Sequence, residues 1–416
     1  MKPPRVALFT DCFHEVNGAA HTFRHLQAFA ERRGLPLLSI HSGPKTRCFT
    51  RGPITTLELQ RGWAAFDVDV DFGFDPLLWR HWGRIGTELA AFKPDLIHII
   101  SPGDFSILGA IWAHKLGIPV VGSFHTNLHQ FASARLRNTL RFLPAGLRRS
   151  LCRAVEIACG RGLLKYYEIP RLSLAPNAEI QEWLERGTGR VSRLMRRGVN
   201  TELFNPARRR RQEGEFWLGF VGRLMREKNV RLLVDLEQAL IDAGRTDYRF
   251  VIVGHGAERE WLEQNLRRAE FTGVLRDEAL AQAYANMDLF VFPSRTDAFG
   301  NVVLEAQACG VPALVSSEGG PRHIITPGVT GFVAKDAGEF ASLALKLISD
   351  PERLQQMKVA ARQAARFASW DQVLEEVWES YELCLHLPGR KHPLLRNDPV
   401  PAECLPEAEC KPRVPA

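Results

Sequence analysis

The sequence predicts an α/β protein made of two doubly wound, Rossmann-like units, and three observations support this fold class. The chain has 416 residues, enough for two domains of roughly 100–200 residues each. Short apolar segments alternate with helical segments in both halves, which is typical of βαβ units and of a parallel sheet covered on both faces. A polar stretch, RRRRQEGE at 208–215, separates the two halves.

The first half opens with RVALFT, an apolar strand bounded by turn-forming residues. A glycine-containing loop, HEVNGAAH, follows, and a helix is predicted from about Thr22 to Arg33, where Gly34 ends it. PLLSIHS is the next strand. The same order returns in the strand PDLIHII, the helix SPGDFSILGAIWAHKLG and the strand IPVVGSFHT.

The second half repeats this pattern with the strands FWLGFVG, YRFVIVG, LFVFPS and PALVSS. The predicted domains are 1–207 and 208–370, followed by a closing helix at 371–387 that packs back toward the first domain. The proline-rich tail at 388–416 is predicted to be disordered. Ligands of such sheets bind outside the carboxyl ends of the strands, so we expect a site in a cleft between the two domains.

The composition indicates a soluble protein of the cytoplasm. Hydrophobic residues make up 45% and charged residues 24%, as in ordinary globular proteins. The eight cysteines show no CxxC or metal-ligand spacing, which suits reduced thiols. The N-terminus lacks the apolar core of a signal peptide, and no apolar run approaches the roughly 20 residues that span a bilayer. We expect any membrane contact to be peripheral, at the inner face.

A net charge of +7 and a pI near 9.1 favour anionic partners. Arg223 and Lys228 follow the strand FWLGFVG; arginine offers phosphate a bidentate fork and lysine a compact charge. A solvated basic turn is the alternative. Gly254 and Glu258 lie in the next βα turn, VGHGAERE. Glycine there lets the backbone approach a phosphate at a helix N-terminus, although many such turns need glycine for their own geometry.

Two carboxylates, Asp297 and Glu305, lie eight positions apart in SRTDAFGNVVLEAQACGVP. The strand LFVFPS, the loop RTDAFG and the helix NVVLEAQAC place Asp297 in the loop and Glu305 in the second turn of the helix. The two acids can therefore face one site from different elements. Spacing alone also allows a helix-end acid and a packed, ion-paired residue.

Taken in order, these motifs resemble the family-4 retaining glycosyltransferases, enzymes with two facing Rossmann-like domains known as the GT-B fold. In the second half the resemblance is carried by FVGRLMREKN, VGHGAERE, the text from FTGVLRDEALAQAY through SEGGPRHII, and GVTGFV. In the first half it is carried by NGAAHTFRHLQAFAERRG, PDLIHIISPG, GIPVVGSFHTN and RGVNTELFNP. It covers roughly residues 5–386.

The resemblance implies roles for the charged residues. Arg223 and Lys228 match the basic pair that grips the donor diphosphate. Glu305 matches the acid that hydrogen-bonds the donor ribose. Asp297 matches the acid that approaches the donor sugar, at a position where family members commonly have glutamate.

Four further positions are implied in the same way. Phe299 and Gly300 match the turn whose backbone amides approach the donor. His125 matches the histidine that lies near the reacting sugar. Gly18 matches the first-loop glycine that lets the amino-terminal domain come close to the phosphate and the acceptor.

No metal and no cofactor are expected. FDVDVDFGFD contains D-x-D twice, at Asp67, Asp69 and Asp71, and in the other large glycosyltransferase fold a D-x-D holds a metal. Here the acids alternate with apolar residues, the period of a half-buried strand, and lie far from the donor-binding segments. They are predicted to be structural or surface residues, and Arg223 and Lys228 to neutralise the diphosphate instead.

The segment from Arg135 to Arg153, RLRNTLRFLPAGLRRSLCR, has six arginines and no acid. Interleaved with Leu and Phe, the arginines are typical of a basic amphipathic segment on an anionic membrane surface, and Arg148, Arg149 and Arg153 are the predicted contacts. A solvated helix face is the alternative. Nucleic acid is not an expected partner, because no binding motif or aromatic stacking array accompanies the charge.

The predicted function is that of a retaining glycosyltransferase acting on a GDP- or UDP-linked nucleotide-sugar and a membrane-lipid or glycan acceptor. Mannose from GDP-mannose, transferred to give an α-linkage, is the first expectation. A sugar-nucleotide epimerase or a phosphorylase on the same fold is one alternative. A non-catalytic binder of acidic lipid or nucleic acid, suggested by the pI, is the other.

Overall fold

The computed structural model describes residues 2–14, 18–69, 72–100, 102–125, 144–211 and 214–388. Their contacts divide the chain into two compact units. Unit 2 is Arg196–Glu375, and unit 1 comprises the described residues up to Met195 and from Glu376 onward. Each unit contains one main sheet of mostly parallel strands with helices between them, which confirms the predicted fold class.

The described residues of unit 1 form ten strands: β1 (Val6–Thr10), β2 (Leu37–Gly43), β3 (Arg47–Arg51), β4 (Ile54–Gln60), β5 (Phe66–Asp69), β6 (Phe72–Phe74), β7 (Leu96–Ile99), β8 (Val120–Ser123), β9 (Leu172–Ala175) and β10 (Val191–Leu194). The main sheet has the order β10-β9-β8-β7-β1-β2-β4-β3. All its pairings are parallel except that of β3 with β4. Strands β5 and β6 form a separate antiparallel pair, so the segment with the D-x-D patterns lies outside the main sheet.

The helices of unit 1 are α1 (Gly18–Arg33), α2 (Trp82–Phe92), α3 (Asp104–Leu116), α4 (Ala145–Tyr167) and α5 (Ala178–Thr188). Strand β1 is buried along its whole length, as expected of a short apolar run covered on both faces. Phe9 of this strand, Phe105 and Trp112 lie in one hydrophobic cluster with residues of β2, β4 and β7. Helix α1 begins at Gly18, before the predicted start at Thr22.

In the part of unit 2 that the structure describes there are six strands: β11 (Phe216–Val221), β12 (Tyr248–Val253), β13 (Ala269–Gly273), β14 (Leu289–Phe292), β15 (Ala313–Ser316) and β16 (Gly331–Ala334). The sheet is parallel throughout, in the order β13-β12-β11-β14-β15-β16. Its helices are α6 (Leu232–Asp242), α7 (Arg259–Asn265), α8 (Asp277–Asn286), α9 (Asn301–Ala308), α10 (Ala337–Ile348) and α11 (Pro351–Arg366). The strand order reverses at β11 and β14, so the turns after these two strands lie at the position where doubly wound sheets bind ligands.

Some helix starts in both units have side-chain caps. Asn177 accepts a hydrogen bond from the backbone N–H of Ile180 at the start of α5. Asp336 caps α10, and Asp350 caps α11, where Pro351 occupies the first helical position. Each cap satisfies a backbone donor that the helix itself leaves unpaired.

The boundary between the units lies between Met195 and Arg196, earlier than the predicted boundary after residue 207. The arginines of the predicted linker belong to unit 2 because a buried acid binds them. Arg209 Nη2 lies 2.9 Å from Asp288 Oδ1, and Arg211 pairs with the other oxygen of Asp288. A charged stretch that looks solvated in the sequence is therefore packed.

The last helix, α12 (Trp370–His386), crosses the second boundary, which falls between Glu375 and Glu376. The prediction had placed that boundary at residue 371. The predicted disordered tail lies, from residue 389 onward, outside the described residues. Among the helices that the structure describes, none combines the length and the apolar character needed to cross a bilayer.

Candidate functional site

Arg223 and Lys228 lie where the sequence predicted them, directly after β11. Arg223 follows the end of the strand and is exposed, and Lys228 ends a 3₁₀ turn at Arg226–Lys228. The backbone of this turn is tied to the neighbouring βα turn, because Gly222 N donates to Val253 O at 3.0 Å and Leu224 N donates to His255 O at 3.0 Å.

Gly254 allows these two turns to pack backbone to backbone. Its φ of +138° lies in the region that favours glycine. A Cβ at this position would lie 1.9 Å from the carbonyl oxygen of Gly222. Gly254 is thus required by the packing of the protein's own backbone, independently of any ligand.

Glu258 directly precedes α7, and its carboxylate is bound by two arginines. Arg226 Nε lies 3.2 Å from Oε1, and Arg231 Nε lies 2.6 Å from Oε2. Burial opposes ionisation of Glu258, but the two arginines outweigh it and hold the pKa of the carboxyl below its usual value. Glu258 fixes the basic turn to α7, and its role as a substrate-binding residue stays a prediction.

Asp297 lies in the loop after β14 and pairs with Lys228, 69 residues earlier. Lys228 Nζ donates to Asp297 Oδ1 at 2.6 Å. Burial opposes ionisation of Asp297, but the charges of Lys228 and Arg223 and the hydrogen bond from Lys228 outweigh it, so the pKa of this carboxyl is lowered. The other oxygen, Oδ2, is buried, and the Ser294 side chain also helps to lower the pKa of this carboxyl. The structure therefore brings together three of the predicted site residues.

Glu305 lies in the second turn of α9, as predicted, and is held by Tyr284 of α8. The Tyr284 hydroxyl donates to Glu305 Oε2 at 2.9 Å. Burial raises the pKa of Glu305 to about 7, and the hydrogen bond from Tyr284 offsets only part of that rise. Sequence reasoning missed Tyr284; no local signal could link it to an acid 21 positions away.

The loop between β14 and α9 is closed by glycines. Gly300 directly precedes α9 with a φ of +97°, and Phe299 is half-buried beside it. Gly320 N donates to Asp297 O at 2.7 Å, and a Cβ on Gly320 would lie 1.9 Å from Ala298 O. Gly320 belongs to the motif SEGGPRHII, and its pair of adjacent glycines is the sequence feature that could have indicated this close backbone contact.

Arg197 is a buried residue of unit 2 that the sequence reasoning did not select. Only 4% of its surface is exposed, and its guanidinium lies 5.9 Å from the centre of the Phe299 ring. Burial lowers its pKa to about 10, so the group is charged at neutral pH. A positive charge therefore lies beside the loop that carries Asp297.

His125, in unit 1, follows β8 and is the outer end of a buried chain of hydrogen bonds. His125 Nε2 lies 2.8 Å from Ser123 Oγ, and this oxygen lies 2.9 Å from His98 Nε2. His98 Nδ1 lies 2.8 Å from the hydroxyl of Tyr381 on α12. Phe23 of α1 packs against the His125 ring, with ring centres 4.9 Å apart.

The hydrogen bonds from His125 to Tyr381 have one arrangement of protons in which every buried donor is used. Among the described residues, the Tyr381 hydroxyl has His98 as its hydrogen-bond partner, so it donates to Nδ1. Burial lowers the pKa of His98 to about 3, so the ring is neutral and its Nε2–H donates to Ser123. The serine hydroxyl then donates to His125 Nε2, and neutral His125 carries its proton on Nδ1.

For the other predicted site residues that it describes, the structure gives the element on which each lies. Gly18 is the first residue of α1. Arg148, Arg149 and Arg153 lie on α4, while the preceding part of the predicted membrane segment, up to residue 143, lies outside the described residues. Asp71 also lies outside them.

Helix α4 exposes apolar and basic side chains together. Leu147 and Leu151 are 53% and 40% exposed, and Arg149 and Arg153 on the same turns are exposed as well. The two leucines are four residues apart and share one face of the helix. This is the mixture of side chains that the membrane hypothesis requires.

Two family models match the chain, one in each half. The model described as Glycosyltransferase Family 4 matches residues 16–203. The model described as Glycosyl transferases group 1 matches residues 215–350. The first match ends shortly after the boundary between Met195 and Arg196, and the second lies entirely within unit 2.

Named relatives agree with these models. A GDP-mannose-dependent alpha-mannosyltransferase of Mycolicibacterium smegmatis is 34% identical over 73% of this chain and 77% of its own length. A sulfoquinovosyl transferase of Arabidopsis thaliana is 29% identical over 89% of this chain and 71% of its own length. Among solved structures, sucrose-phosphate synthase from Thermosynechococcus elongatus superimposes with a TM-score of 0.69 at 20% identity, covering 91% of this chain and 98% of that one. That likeness supports the fold alone.

Proposed function

We propose a specific reaction for this chain, which belongs to glycosyltransferase family 4 and is a nucleotide-sugar-dependent glycosyltransferase of the GT-B fold. The proposed reaction is the transfer of mannose from GDP-mannose to a membrane lipid with retention of configuration. The observation that carries the proposal is the cluster of Arg223, Lys228 and Asp297 after the carboxyl ends of β11 and β14. The choice of GDP-mannose follows the mannosyltransferase relative, which is 34% identical.

Arg223 and Lys228 bind the donor diphosphate in this proposal. The Lys228 ammonium is held at 2.6 Å from Asp297, so its position is fixed by the protein itself. Fixed positive charges stabilise a leaving group without reorganisation at the moment of reaction. No residue of this cluster requires a metal, and we propose none at the diphosphate.

Asp297 and Glu305 bind the sugar and ribose ends of the donor. The Asp297 side chain is 22% exposed beside Lys228, and its carboxylate is proposed to accept a hydrogen bond from a sugar hydroxyl. Glu305 keeps one oxygen on Tyr284 and offers the other to ribose hydroxyls. Phe299 and Gly300 bring backbone amides to the donor, and Gly254 and Glu258 shape the turn beside the diphosphate.

The reaction is proposed to proceed on one face of the sugar. The bond between the anomeric carbon and the phosphate oxygen breaks, the acceptor hydroxyl oxygen bonds to that carbon, and the acceptor proton passes to the departing phosphate oxygen. Attack and departure on the same face give retention, hence an α-linkage from an α-linked donor. The proposed roles of His125 near the reacting sugar and of Gly18 near the acceptor rest on the family resemblance.

The acceptor is proposed to be a lipid, reached from a cytoplasmic, peripheral position on an anionic membrane. The exposed Leu147 and Leu151 and the exposed Arg149 and Arg153 of α4 support this surface. Apolar side chains enter the headgroup boundary while neighbouring arginines bind anionic lipid. Arg148 on the same helix adds to the basic charge.

The test is a panel of donors incubated with the purified protein and a total lipid extract, read by mass spectrometry for a new glycolipid. The panel contains GDP-mannose, UDP-glucose and a sulfoquinovosyl donor, the last because of the plant relative. We expect a mannosylated lipid with GDP-mannose alone. A product only with another donor would overturn the choice of donor, and donor turnover without any lipid product would overturn the acceptor.

The site assignment is tested with the double variant Arg223→Ala, Lys228→Ala, which should nearly abolish turnover. The matched control, Arg276→Ala with Lys335→Ala, removes the same two charges from exposed positions of unit 2. Equal activity of the two double variants would refute the assignment.

A further inference from the structure

A second polar cluster lies in unit 1 at the carboxyl end of its main sheet. His14 follows β1, His41 lies on β2 and Glu58 lies on β4. His41 and Glu58 are directly paired in the parallel register of these strands, and Thr10 of β1 is paired with His41 on the other side. Three elements thus bring one side chain each to the same edge.

These side chains form a group suited to a cation. Among the residues that the structure describes, they are the one group of three His, Cys, Asp or Glu residues whose ligand atoms all lie within 4.8 Å of one another. Ligand atoms of a tetrahedral zinc ion lie roughly 3.4 Å apart, from bond lengths of about 2.0–2.1 Å. His14 is largely exposed, so its side chain can rotate to close the difference.

His41 is oriented as a metal ligand. Its Nδ1–H donates to the carbonyl oxygen of Ser42 at 2.9 Å, which leaves the lone pair on Nε2. That Nε2 is buried and has no hydrogen-bond partner among the described residues. An oriented imidazole with one nitrogen bound to a carbonyl is the usual arrangement of a ligating histidine.

Glu58 can supply an oxygen without losing its arginine. Arg47 Nε donates to Oε2 at 2.6 Å, while its Nη2 reaches Oε1 only at 3.1 Å. His14 Nε2 lies 3.7 Å from that same Oε1. The absence of a side chain at Gly43 makes space for the Glu58 side chain. A Cβ at position 43 would lie 2.9 Å from Glu58 Cβ and 3.0 Å from its Oε2. Oε1 is therefore the oxygen that lies near His14 and that Arg47 holds less closely.

We propose that His14 Nε2, His41 Nε2 and Glu58 Oε1 bind a divalent transition-metal ion of the zinc class. Two imidazole nitrogens and one carboxylate oxygen are ligands that zinc prefers, and a fourth position remains for water or a substrate atom. The site is separate from the donor cluster of unit 2 and does not depend on the proposed function. It departs from the sequence-based expectation of no metal.

The bound ion would fasten the start of the β1–α1 connection to the sheet. His14 lies in that connection, whereas His41 and Glu58 lie on strands. Phe13 already stacks on His41, with ring centres 4.1 Å apart and planes within 6°. A metal bond from His14 would add a second attachment beside this stacking contact and raise the stability of the folded state by mass action.

The test is a titration of the metal-free full-length protein with Co²⁺, followed by the visible absorption of tetrahedral cobalt, and with Zn²⁺ by calorimetry and melting temperature. We expect one ion per chain and a higher melting temperature with Zn²⁺. His14→Gln changes an exposed side chain and should keep the fold while weakening Co²⁺ binding at least tenfold. Glu58→Gln should weaken it too. The matched control, His114→Gln, alters another exposed histidine and should leave the titration unchanged.

A competing site is the histidine pair His21 and His25 on α1, whose Nε2 atoms lie 3.3 Å apart. If Co²⁺ binding survived His14→Gln and were lost in His21→Gln, the proposal would be overturned. It would also be overturned if folded wild-type protein gave neither the cobalt spectrum nor a zinc titration heat. In that case Arg47 would be the sole cation bound by Glu58.

Discussion

Glu305 is the residue at which burial has the most direct functional consequence. Its pKa of about 7 means that the carboxyl is partly protonated at neutral pH. In the proposed donor-binding role, the ionised form would accept hydrogen bonds from ribose hydroxyls more strongly than the protonated form. Because the ionised fraction grows as the pH rises through 7, donor affinity should increase between pH 6 and pH 8. Calorimetric titration with a nucleotide-sugar measures this directly.

Replacing Glu305 by glutamine should weaken donor binding by about tenfold to a hundredfold, the range for a hydrogen bond to a charged group. The variant should also lose the pH dependence, while Tyr284 can still donate to the amide oxygen. Glu278→Gln on α8, an exposed acid with 79% of its side chain accessible, is the control. A pH dependence that persists in Glu305→Gln would show that another group controls binding.

Tyr381 acts on His125 only through Ser123 and His98, so we regard it as a positioning residue. Tyr381→Phe leaves His98 Nδ1 buried and unpaired, at a cost of about 1–3 kcal/mol in the free energy of unfolding. With the proton arrangement no longer fixed, kcat should fall about threefold to tenfold and its pH profile should shift, while the donor Kd stays unchanged.

Tyr248→Phe is the matched control for this prediction, because Tyr248 is another buried tyrosine whose hydroxyl bonds a side chain, that of Glu237. It is the first residue of β12, at the strand end opposite the turn that carries Gly254. Urea unfolding and steady-state rates measure both variants. If both variants were destabilised equally and kcat were unchanged in both, the hydrogen bonds from Tyr381 to His125 would have a structural role only.

At the scale of elements, the two βα turns after β11 and β12 act as one support for the basic pair. Gly254→Ala places a methyl group 1.9 Å from Gly222 O at a φ of +138°, so these turns must separate. We expect the free energy of unfolding to fall by at least about 2 kcal/mol and donor affinity to fall as Arg223 is displaced. Denaturant titration and calorimetry are the measurements.

Gly244→Ala is the control for backbone strain without a clash. Gly244 has a φ of +72° and open space around its Cβ position, so the expected loss of stability is about 1 kcal/mol with unchanged donor affinity. Equal losses of affinity in the two variants would mean that general destabilisation, rather than turn packing, controls donor binding.

At the scale of the whole molecule, the question is whether net charge or the surface of α4 directs the protein to membranes. Replacing Arg148, Arg149 and Arg153 with serine lowers the formal charge from +7 to +4. With about 1 kcal/mol for each arginine near an anionic surface, vesicle binding should weaken by about a hundredfold. Cosedimentation with phosphatidylserine vesicles measures it, and donor binding should be unaffected.

The control triple variant, Arg32→Ser, Arg33→Ser and Arg51→Ser, removes the same charge from exposed positions elsewhere in unit 1. It should keep most of the vesicle affinity. Equal weakening in both triple variants would attribute binding to net charge, and unchanged binding in the α4 variant would remove the membrane hypothesis.

Much of the fold follows from local patterns in the sequence. Strands such as β1 and β14 are short apolar runs, and the positions of Asp297 in a loop and Glu305 in the second turn of a helix follow from where those runs end. These features are local because backbone geometry and burial on one or two faces fix the period of a strand or helix. The unit boundary was predicted less well, because the partner of Arg209 and Arg211 is Asp288, far along the chain.

The sequence by itself determined the residue types at the candidate site, the two-unit α/β fold and, through its ordered motifs, the family. Only the tertiary structure decided which groups are paired: Lys228 with Asp297, Glu305 with Tyr284. It likewise joined His98 to Tyr381, 283 positions apart. The physical reason is that strand order and helix packing, which spacing does not encode, decide which distant side chains meet, and burial at those meetings sets their protonation.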